Sequence, residues 1–275
     1  MDETENKIRV RKTIIALSLT HKGDWRKIMH AVQHHEVPEQ DIEELAGSVK
    51  CKVTTIIDKD YPEGLRNAQK PPFALFYYGD LSLLNDSSKV IAYVGSRMAS
   101  EYGVKMATDI CGGLSDAGFA IASGSSIGID AAAERAALER GKAVMVLGNG
   151  IDYVYPSSNA EMQEAIAEKG LVISEYPGDT PPTPDKFAAK NRIIAGISNA
   201  VVVGEAHKHS GTLITVSFAL DMGRDVMAVP YHGDEDSACN LLLKEGAPLV
   251  ENANDVLACL GVDKVCKRTP GGSKK

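Results

Sequence analysis

Four glycine- and serine-rich segments hold residues whose types and spacing suit chemistry at an anion. Each follows a short apolar run, and together they comprise Gly95, Ser96, Arg97 and Ser100, then Ser123 and Gly124, then Asn149 and Gly150, and finally Ser210, Gly211 and Thr212. Glycine lets backbone N–H groups approach a ligand closely, and hydroxyl groups add further donors. Where a helix follows, its N-terminus adds a partial positive charge. One such loop alone would indicate only a tight strand-to-helix turn, but several of them predict a phosphate-bearing ligand.

A further segment combines cations with an aromatic ring. Lys186, Phe187, Lys190, Asn191 and Arg192 lie within seven residues, just before or inside a predicted helix. Cations that follow a phosphate backbone beside a ring on which a base stacks are typical of proteins that bind single-stranded nucleic acid. Phe187 alone is typical of a core residue, and Arg192 alone of an ion-pair partner. Taken with the anion-binding loops, the segment favours nucleic-acid binding.

The same loops lack the signatures of the common nucleotide cofactors. The segment VGSRMAS has no third glycine of GxGxxG, and GxxxxGK[ST] occurs nowhere in the sequence. We therefore predict no dinucleotide cofactor and no ATPase activity. The seven histidines indicate no metal site either, because His34–His35 and His207/His209 are adjacent or alternate and no third ligand is evident.

Six apolar runs must position these loops, and all have the length of buried strands. They are KVIAYV (89–94), FAIAS (119–123), KAVMVLG (142–148), GLVISEY (170–176), NAVVVGE (199–205) and DVMAVP (225–230). Helical stretches alternate with them at about 101–117, 128–140, 159–168, 190–197 and 211–222. Continuous apolar strands mark a sheet covered on both faces. The alternation therefore predicts an α/β fold with an extended Rossmann-like, doubly wound, mostly parallel sheet, whose ligands bind beyond the carboxyl ends of the strands.

The first 60 residues differ in their hydrophobic pattern, which predicts a small N-terminal helical domain. Apolar residues from Ile8 to Leu19 and from Trp25 to Val32 recur at helical spacing, and a third, shorter helix is predicted to begin near Pro38 and to end near Leu45. The Rossmann-like domain is predicted to extend over residues 61–260. The polar tail, residues 261–275, is predicted to be disordered.

Composition restricts the class of protein without deciding it. The chain has 275 residues, 44% of them apolar, which suffices for one α/β domain and a smaller unit. With a net charge of −7, no overall positive field attracts nucleic acid, so a local basic groove must do so. Five widely spaced cysteines without a CxxC pair fit a reducing compartment, and the sequence shows no apolar signal segment or membrane span. We therefore expect a soluble cytoplasmic protein.

Seven motifs, in this order, resemble the DprA/Smf family. They read VGSRMASEYG (94–103), SGSSIGIDAAAERAAL (123–138), LGNGIDYVYPSSN (147–159), ISEYP (173–177), FAAKNRIIAGIS (187–198), VVVGEAHKHSGTLIT (201–215) and GRDVMAVP (223–230). The upstream segment 60–80 also matches, so the resemblance covers about residues 60–257. The first 60 residues match only in being a small helical domain.

The resemblance implies a non-enzymatic protein that binds single-stranded DNA and loads the RecA recombinase onto it, in recombination and natural transformation. It implies an extended Rossmann-like fold that forms a homodimer through the main domain, without catalytic residues, cofactor or membrane contact. The residues that would hold phosphate are Gly95, Ser96, Arg97, Ser100, Ser123, Gly124, Ser210, Gly211 and Thr212. Phe187 would stack on a base, and Lys186, Lys190, Asn191 and Arg192 would line the groove.

Several positions depart from the family's usual motifs, SGLARGIDAAAH and FPxRNRII, among them Ala188 in place of proline. Ile127 and Glu134 stand where a basic or polar residue and a histidine are common, and Lys190 stands where arginine is common. Lysine keeps the charge but lacks the planar guanidinium that can bind phosphate through two bonds. The departures predict weaker or altered binding.

Two other classes of function remain compatible with the loops. Phosphoribohydrolases of the same broad superfamily carry PGGxGTxxE, but here Thr215 stands at the position of the glutamate. Glu175 and Glu205 are the carboxylates at strand ends, and for Glu175 we favour capping or pairing with Arg192. A nucleotide sensor without turnover would also use such a pocket. Affinity that increases with strand length distinguishes a DNA binder from a sensor, which a mononucleotide saturates.

Overall fold

One sheet forms the centre of the molecule, and its strands carry the predicted loops. The computed structural model describes residues 3–38, 40–233 and 236–262. Within these residues eight strands are present, namely β1 (Lys52–Thr55), β2 (Ala74–Gly79), β3 (Val90–Gly95), β4 (Ala120–Gly124), β5 (Ala143–Leu147), β6 (Leu171–Ser174), β7 (Ala200–Glu205) and β8 (Asp225–Ala228). Their order across the sheet is β1-β2-β6-β5-β4-β3-β7-β8. The β1–β2 and β2–β6 pairs are antiparallel, and the other pairs are parallel.

Helices connect the strands and cover both faces of the sheet. The described residues form α1 (Glu3–Thr20), α2 (Trp25–Gln33), α3 (Ile42–Gly47), α4 (Glu63–Arg66), α5 (Glu101–Asp116), α6 (Ile129–Leu138), α7 (Ala160–Lys169), α8 (Pro184–Ile197), α9 (Thr212–Asp221), α10 (Ala238–Lys244) and α11 (Ala253–Cys259). Helices α5, α6, α7 and α11 pack on one face, and α4, α8, α9 and α10 pack on the other. This arrangement confirms the predicted extended Rossmann-like, doubly wound, mostly parallel sheet. No helix in the described part of the chain is long and apolar enough to cross a membrane.

Strand residues alternate between two cores. In β3, Ile91 and Tyr93 enter the core beneath α5 and α6, whereas Ala92 and Val94 enter the core beneath α8 and α9. Every residue of β4, β5 and β7 is buried. A strand that is apolar on both sides needs a sheet covered on both faces, which is why these runs are recognisable in the sequence.

Three helices precede the sheet, and residues of α1 and α2 contact the sheet or the segments next to its strands. Ile14 of α1 joins the core on the α5 face. Trp25 of α2 lies with its ring centroid 5.8 Å from that of Phe73, and its indole N–H donates to the carbonyl of Pro71 at 2.8 Å. Arg11 of α1 forms an ion pair with Asp58 at 2.8 Å. Apolar and polar contacts thus join the N-terminal helices to the sheet.

The strand β1 lies within the segment that the sequence assigns to the helical unit, and this corrects the predicted content of residues 1–60. Lys52 pairs with Tyr77 and Thr55 with Ala74 in an antiparallel ladder with β2. The segment KVTT has two hydroxyl side chains and a charge, so it lacks the apolar signature of the six predicted strands. From residue 263 onward, the tail predicted to be disordered lies outside the described residues.

Both edges of the sheet are short. The edge strands β1 and β8 have four residues each, and each begins with a charged residue, Lys52 or Asp225. On the outer side of β8, the N–H of Ala228 donates to the carbonyl of Pro248 at 3.0 Å, and the N–H of Val250 donates to the carbonyl of Ala228 at 3.1 Å. The chain following α10 therefore covers part of that edge.

Candidate functional site

A cleft of about 670 Å³ opens at the carboxyl ends of β3 and β7, between their loops and helix α8. The predicted residues that line it are Gly95, Ser96, Arg97, Phe187, Lys190, Asn191, Ser210, Gly211 and Thr212. Other lining residues, which the sequence did not single out as ligand-binding, include Met98, Asp130, Tyr155, His207 and Thr215. The predicted loops and α8 therefore meet where ligands of open parallel sheets bind.

The loop after β3 is held by backbone hydrogen bonds on two sides. The N–H of Ser96 donates to the carbonyl of Glu205 at 2.7 Å, and the N–H of Ile129 donates to the carbonyl of Ser96 at 3.0 Å. The hydroxyl oxygen of Ser96 also accepts a hydrogen bond from the N–H of Met98 at 3.1 Å. The loop is therefore fixed between β7 and the start of α6, and it presents the next side chain, Arg97, at the cleft.

Arg97 is an exposed cation in this cleft. Its guanidinium carbon lies 5.6 Å from the centroid of the Phe187 ring. No carboxylate among the described residues forms an ion pair with it. The N–H donors of Arg97 are therefore available to an anion, and the planar group can hold a phosphate through two bonds.

Lys190 is a second cation beside Phe187, but it is buried at the floor of the cleft. Its side-chain nitrogen lies 4.9 Å from the ring centroid and has no hydrogen-bond partner among the described residues. Burial lowers the pKa of Lys190, and the nearby carboxylates of Asp130 and Glu134 oppose that shift. A β-carbon added at Gly124 would collide with the lysine nitrogen, so glycine at the end of β4 leaves the space that Lys190 fills.

Two buried carboxyl groups lie near Lys190. Asp130 accepts a hydrogen bond from the N–H of Gly95 at 3.3 Å, and burial raises its pKa from 3.8 to about 6, while Lys190 acts in the opposite direction. Glu134 is fully buried, and neither of its carboxyl oxygens has a hydrogen-bond partner in the described structure. Burial and the neighbouring Asp130 raise the pKa of Glu134 well above its usual value. Burial therefore favours the uncharged form of the Glu134 carboxyl group.

The N-terminus of α9, a helix of 10 residues, also lines the cleft. The hydroxyl of Ser210 donates to the hydroxyl of Thr212 at 2.8 Å and accepts from the N–H of Thr212 at 3.1 Å. Gly211 lies between them and also lines the cleft. This end of the helix offers hydroxyl groups and a partial positive charge, both of which suit phosphate oxygens.

Helix α8 presents one face to the cleft, and that face does not include two of the predicted residues. Phe187, Lys190 and Asn191 line the cleft at helical spacing. Arg192 is buried elsewhere, where it pairs with Glu175 at 2.6 Å. Lys186 does not line the cleft, and its side chain donates to the carbonyl of Pro181 at 2.7 Å. The structure thus corrects the predicted position of Arg192 in the groove, because its side chain is buried against Glu175, the pairing favoured from the sequence. The contact of Lys186 with DNA stays a prediction.

Ser100, Ser123 and Gly124, predicted as phosphate ligands, are not among the residues that line the cleft. The hydroxyl of Ser100 donates to the carboxylate of Glu205 at 2.8 Å and accepts from the N–H of Gly103, so it caps helix α5. The hydroxyl of Ser123 is buried and donates to the carbonyl of Tyr93 at 2.7 Å. The hydroxyl groups of both serines are thus engaged in contacts within the protein.

The carboxylates considered for catalysis are engaged in structural contacts. Glu205 accepts from Ser100 and from the hydroxyl of Tyr231 at 3.1 Å, and Glu175 pairs with Arg192. Among the described residues that line the cleft, Asp130 is the one that carries a carboxylate. Asp130 is the last residue of the GID motif (128–130) and lies in the first turn of α6. The motif was therefore a sequence signal for this cleft residue.

The fold and the cleft define a class of protein: a Rossmann-like α/β protein whose sheet has, at its carboxyl edge, a cleft lined by cationic and hydroxyl side chains, and whose sequence has no common nucleotide-cofactor loop. Within this class, the family model described as DNA recombination-mediator protein A matches residues 52–261. The chain therefore belongs to the DNA recombination-mediator protein A family. This confirms the resemblance to DprA and Smf proteins.

Named relatives agree with this assignment. Protein Smf of Synechocystis sp. is 39% identical over 209 residues, and the DNA processing protein DprA of Streptococcus pneumoniae is 42% identical over 208 residues. Each match covers 74% of this chain. It covers 52% of the Synechocystis protein and 72% of the Streptococcus protein, so the chain spans about half the length of the former.

Two solved structures share the fold. The X-ray structure of DprA from Streptococcus pneumoniae superimposes with a TM-score of 0.74 and 33% identity, covering 94% of this chain and 98% of that one. A structure of DNA processing protein A from Helicobacter pylori, described for its single-stranded DNA binding mode, gives a TM-score of 0.69 and 27% identity. It covers 77% of this chain and 96% of that one.

Proposed function

We propose that this chain binds single-stranded DNA in the cleft and, without catalysing a reaction, delivers it to the RecA recombinase in the cytoplasm. The observation that carries the proposal is Arg97, an exposed cation without an ion-pair partner in the described structure, which lies beside the Phe187 ring in the cleft. A single strand offers both groups a partner, because it combines phosphates with unpaired bases. The family assignment and the DNA-binding Helicobacter relative support the same ligand.

The walls of the cleft suggest how a strand lies in it. One phosphate would contact Arg97, and a neighbouring one would contact the hydroxyl groups at the start of α9. Bases would meet Phe187 and Tyr155, whose ring centroids lie 5.7 Å apart in an edge-on arrangement. Tyr155 is 44% exposed. Duplex DNA keeps its bases stacked inside, so it cannot use these rings.

The proposed homodimer would strengthen binding to long strands. Two clefts on one assembly would bind the same strand with an affinity greater than either cleft provides alone, once the strand is long enough to reach both. The delivery to RecA rests on the family resemblance, and we assign no surface of this chain to that contact.

Fluorescence anisotropy with labelled oligo(dT) of several lengths tests the proposal. Duplex DNA and AMP serve as competitors, and the titrations are repeated at two salt concentrations. We expect tight binding that increases with length and that neither competitor displaces. The slope of log affinity against log salt should be about −0.7 for each phosphate that the protein neutralises.

Binding that AMP displaces and that does not depend on length would contradict the proposal and favour the nucleotide sensor. Hydrolysis of AMP by the purified chain, abolished in Asp130→Asn, would instead favour a phosphoribohydrolase. Asp130 is the residue to test because it lines the cleft, whereas Glu175 and Glu205 are held in other contacts.

A further inference from the structure

Three potential metal ligands converge at the C-terminal end of α2. His30 lies in the last turn of the helix, His34 follows it by four residues, and Glu36 comes two residues later. One ligand atom from each of the three side chains lies within 4.8 Å of the others. The sequence predicted no metal site because His34 and His35 are adjacent. Two of the three ligands lie outside that pair of histidines. His30 is one helical turn before His34, and Glu36 is one residue after His35.

We propose that His30, His34 and Glu36 form a binding site for a divalent transition-metal ion, with Zn²⁺ as its representative. Two histidines four residues apart on one helix face are a spacing that binds zinc. Two imidazole nitrogens and one carboxylate oxygen are also a donor set found at zinc sites with an open fourth position. Mg²⁺ and Ca²⁺ prefer oxygen ligands, so the same set discriminates against them.

The backbone holds the third ligand near the other two. His35 has a positive φ of 54°, and the N–H of Glu36 donates back to the carbonyl of Ala31 at 2.9 Å. The N–H of His35 donates to the carbonyl of Val32 at 3.3 Å. This is the Schellman pattern of a helix end, in which the chain reverses immediately after the last turn. Glu36 is therefore placed beside the helix end by local hydrogen bonds and not by a long loop.

The hydrogen bond of the His34 imidazole suits metal binding. Nδ1 of His34 lies 2.8 Å from the carbonyl of His30, and Nδ1 of His30 lies 3.3 Å from the carboxylate of Glu36. A histidine that donates its Nδ1–H to a carbonyl leaves the Nε2 lone pair for a metal, which is the usual arrangement at metal sites. The two ring centroids are 4.0 Å apart.

The location also favours a cation. The last carbonyls of a helix carry a partial negative charge. All three side chains are exposed, with side-chain accessibilities of 63% for His30 and 50% for Glu36, so an ion reaches them from solvent and the rings can adjust without disturbing the core. A zinc ion with Zn–N distances of about 2.0–2.1 Å would need the two rings, stacked at 21° to each other, to rotate at these exposed positions until their lone pairs converge on it.

Isothermal titration of the full chain with ZnCl₂ tests the site, using protein without a polyhistidine tag and freed of metal by a chelator. We expect saturable uptake of one ion. His30→Ala and His34→Ala should each weaken it at least tenfold, because even loss of a group that only orients a metal ligand costs roughly 10- to 100-fold. Zn²⁺ should also raise the melting temperature of the parent but not of the double variant, since an ion bound only to the folded state stabilises that state.

His35→Gly is the matched control. It removes the adjacent histidine and places glycine where the helix end favours it, so zinc affinity should remain within about twofold of the parent. Retained zinc binding in the double variant, or its loss in His35→Gly, would overturn the assigned ligand set. Absence of saturable uptake by the parent would overturn the site itself. Circular dichroism of each variant confirms that the chain remains folded.

Discussion

At the scale of single residues, Arg97 and Lys190 both lie beside the Phe187 ring, yet their surroundings give them different roles. Arg97 is exposed and has no carboxylate partner among the described residues. Lys190 is only 4% exposed, and two carboxyl groups are close to it. A ligand phosphate therefore gains most from Arg97, whereas Lys190 mainly balances charge inside the protein.

Replacement of Arg97 should weaken DNA binding strongly. Arg97→Ala removes a charge-assisted contact worth roughly 1.5–3 kcal/mol, so affinity for oligo(dT) should fall by roughly 10- to 150-fold. Arg97→Lys should recover part of the loss, because lysine keeps the charge but not the two-bond geometry. Anisotropy titrations measure both variants.

Arg26→Ala provides the control for net charge. Arg26 is an exposed arginine on α2 that does not line the cleft. Its removal changes the total charge by the same amount, so equal losses in the Arg26 and Arg97 variants would show that Arg97 contributes only to the overall field.

The buried carboxyl groups make stability depend on pH in a defined direction. The pKa of Asp130 is raised from 3.8 to about 6 by burial, so the folded chain holds this proton after the unfolded chain has lost it. Stability therefore falls as pH rises through that window, by about 3 kcal/mol for this group alone. Glu134 contributes with the same sign, because burial raises its pKa well above the ordinary value of 4.5.

Glu134→Gln should remove the contribution of Glu134 to the pH dependence of stability. Glutamine cannot ionise and resembles the protonated acid in shape, so the variant should match the parent near pH 4.5 and exceed its stability increasingly at higher pH. Urea denaturation at a series of pH values measures the difference. Glu164→Gln, on the exposed side of α7, is the control and should show no widening gap. A parent and Glu134→Gln that remain equal up to about pH 8 would contradict the assignment.

At the scale of elements, the turn at Gly128 connects α6 with the cleft. Gly128 has a positive φ of 84°, and a β-carbon there would lie 2.6 Å from the carbonyl oxygen of Arg97. The following N–H, of Ile129, donates to the carbonyl of Ser96. The start of α6 thus fixes the loop that carries Arg97, and glycine is required both for the backbone angle and for the close approach.

Gly128→Ala should lower both stability and DNA affinity. The backbone strain costs about 1–3 kcal/mol. Displacement of the loop should weaken oligo(dT) binding by roughly tenfold, through partial loss of the Arg97 contact. Gly118→Ala separates the two effects, because Gly118 has a similar φ of 92° but open space around its β-carbon position. It should lose stability without losing affinity. Equal affinity of the Gly128 and Gly118 variants would contradict the coupling.

The elements were largely predictable from the sequence because their signal is local. Each of the six apolar strands lies where its hydrophobic run predicts, since a doubly covered sheet demands such runs. The strand β1 was missed because KVTT is polar and joins the sheet through pairing with β2. Long-range pairing of this kind has no counterpart in a short stretch of sequence.

The site was predictable by segment but not by side chain. The composition of 186–192 indicated cations beside an aromatic ring, yet only helical periodicity separates Phe187 and Lys190 from Arg192. Applied to α8, that periodicity would have removed Arg192 from the groove. The burial of Glu134 depends on how α6 packs against the sheet, so its identity as a glutamate carries no sign of its protonation state.

At the scale of the whole molecule, the N-terminal helices are joined to the sheet by Ile14, Trp25 and Arg11. Trp25 is the single tryptophan of the chain, so its fluorescence reports this contact. We expect tryptophan fluorescence and far-ultraviolet circular dichroism to give one coincident urea transition. Separate transitions would show that the helices unfold independently.

Replacement of Arg11 tests the same prediction of a single unfolding transition. Arg11→Ala removes the ion pair with Asp58 and a hydrogen bond of 2.6 Å to the carbonyl of Val53. Both probes should shift together, by about 1 kcal/mol, because the arginine is partly exposed. Lys7→Ala, at an exposed position of the same helix, should leave the midpoint unchanged.

The short edges of the sheet affect the tendency of this protein to aggregate through its edge strands at high local concentration. A long, flat edge strand exposes unpaired backbone groups, onto which another chain can add a strand. Here β1 offers only four residues and begins with Lys52, and the segment containing Pro248 and Val250 already occupies part of the β8 edge. If molecules of this protein bind side by side on a DNA strand, as proposed, the described strands therefore offer them only a short template for strand addition. The short edges would then disfavour the formation of an intermolecular sheet between neighbouring molecules.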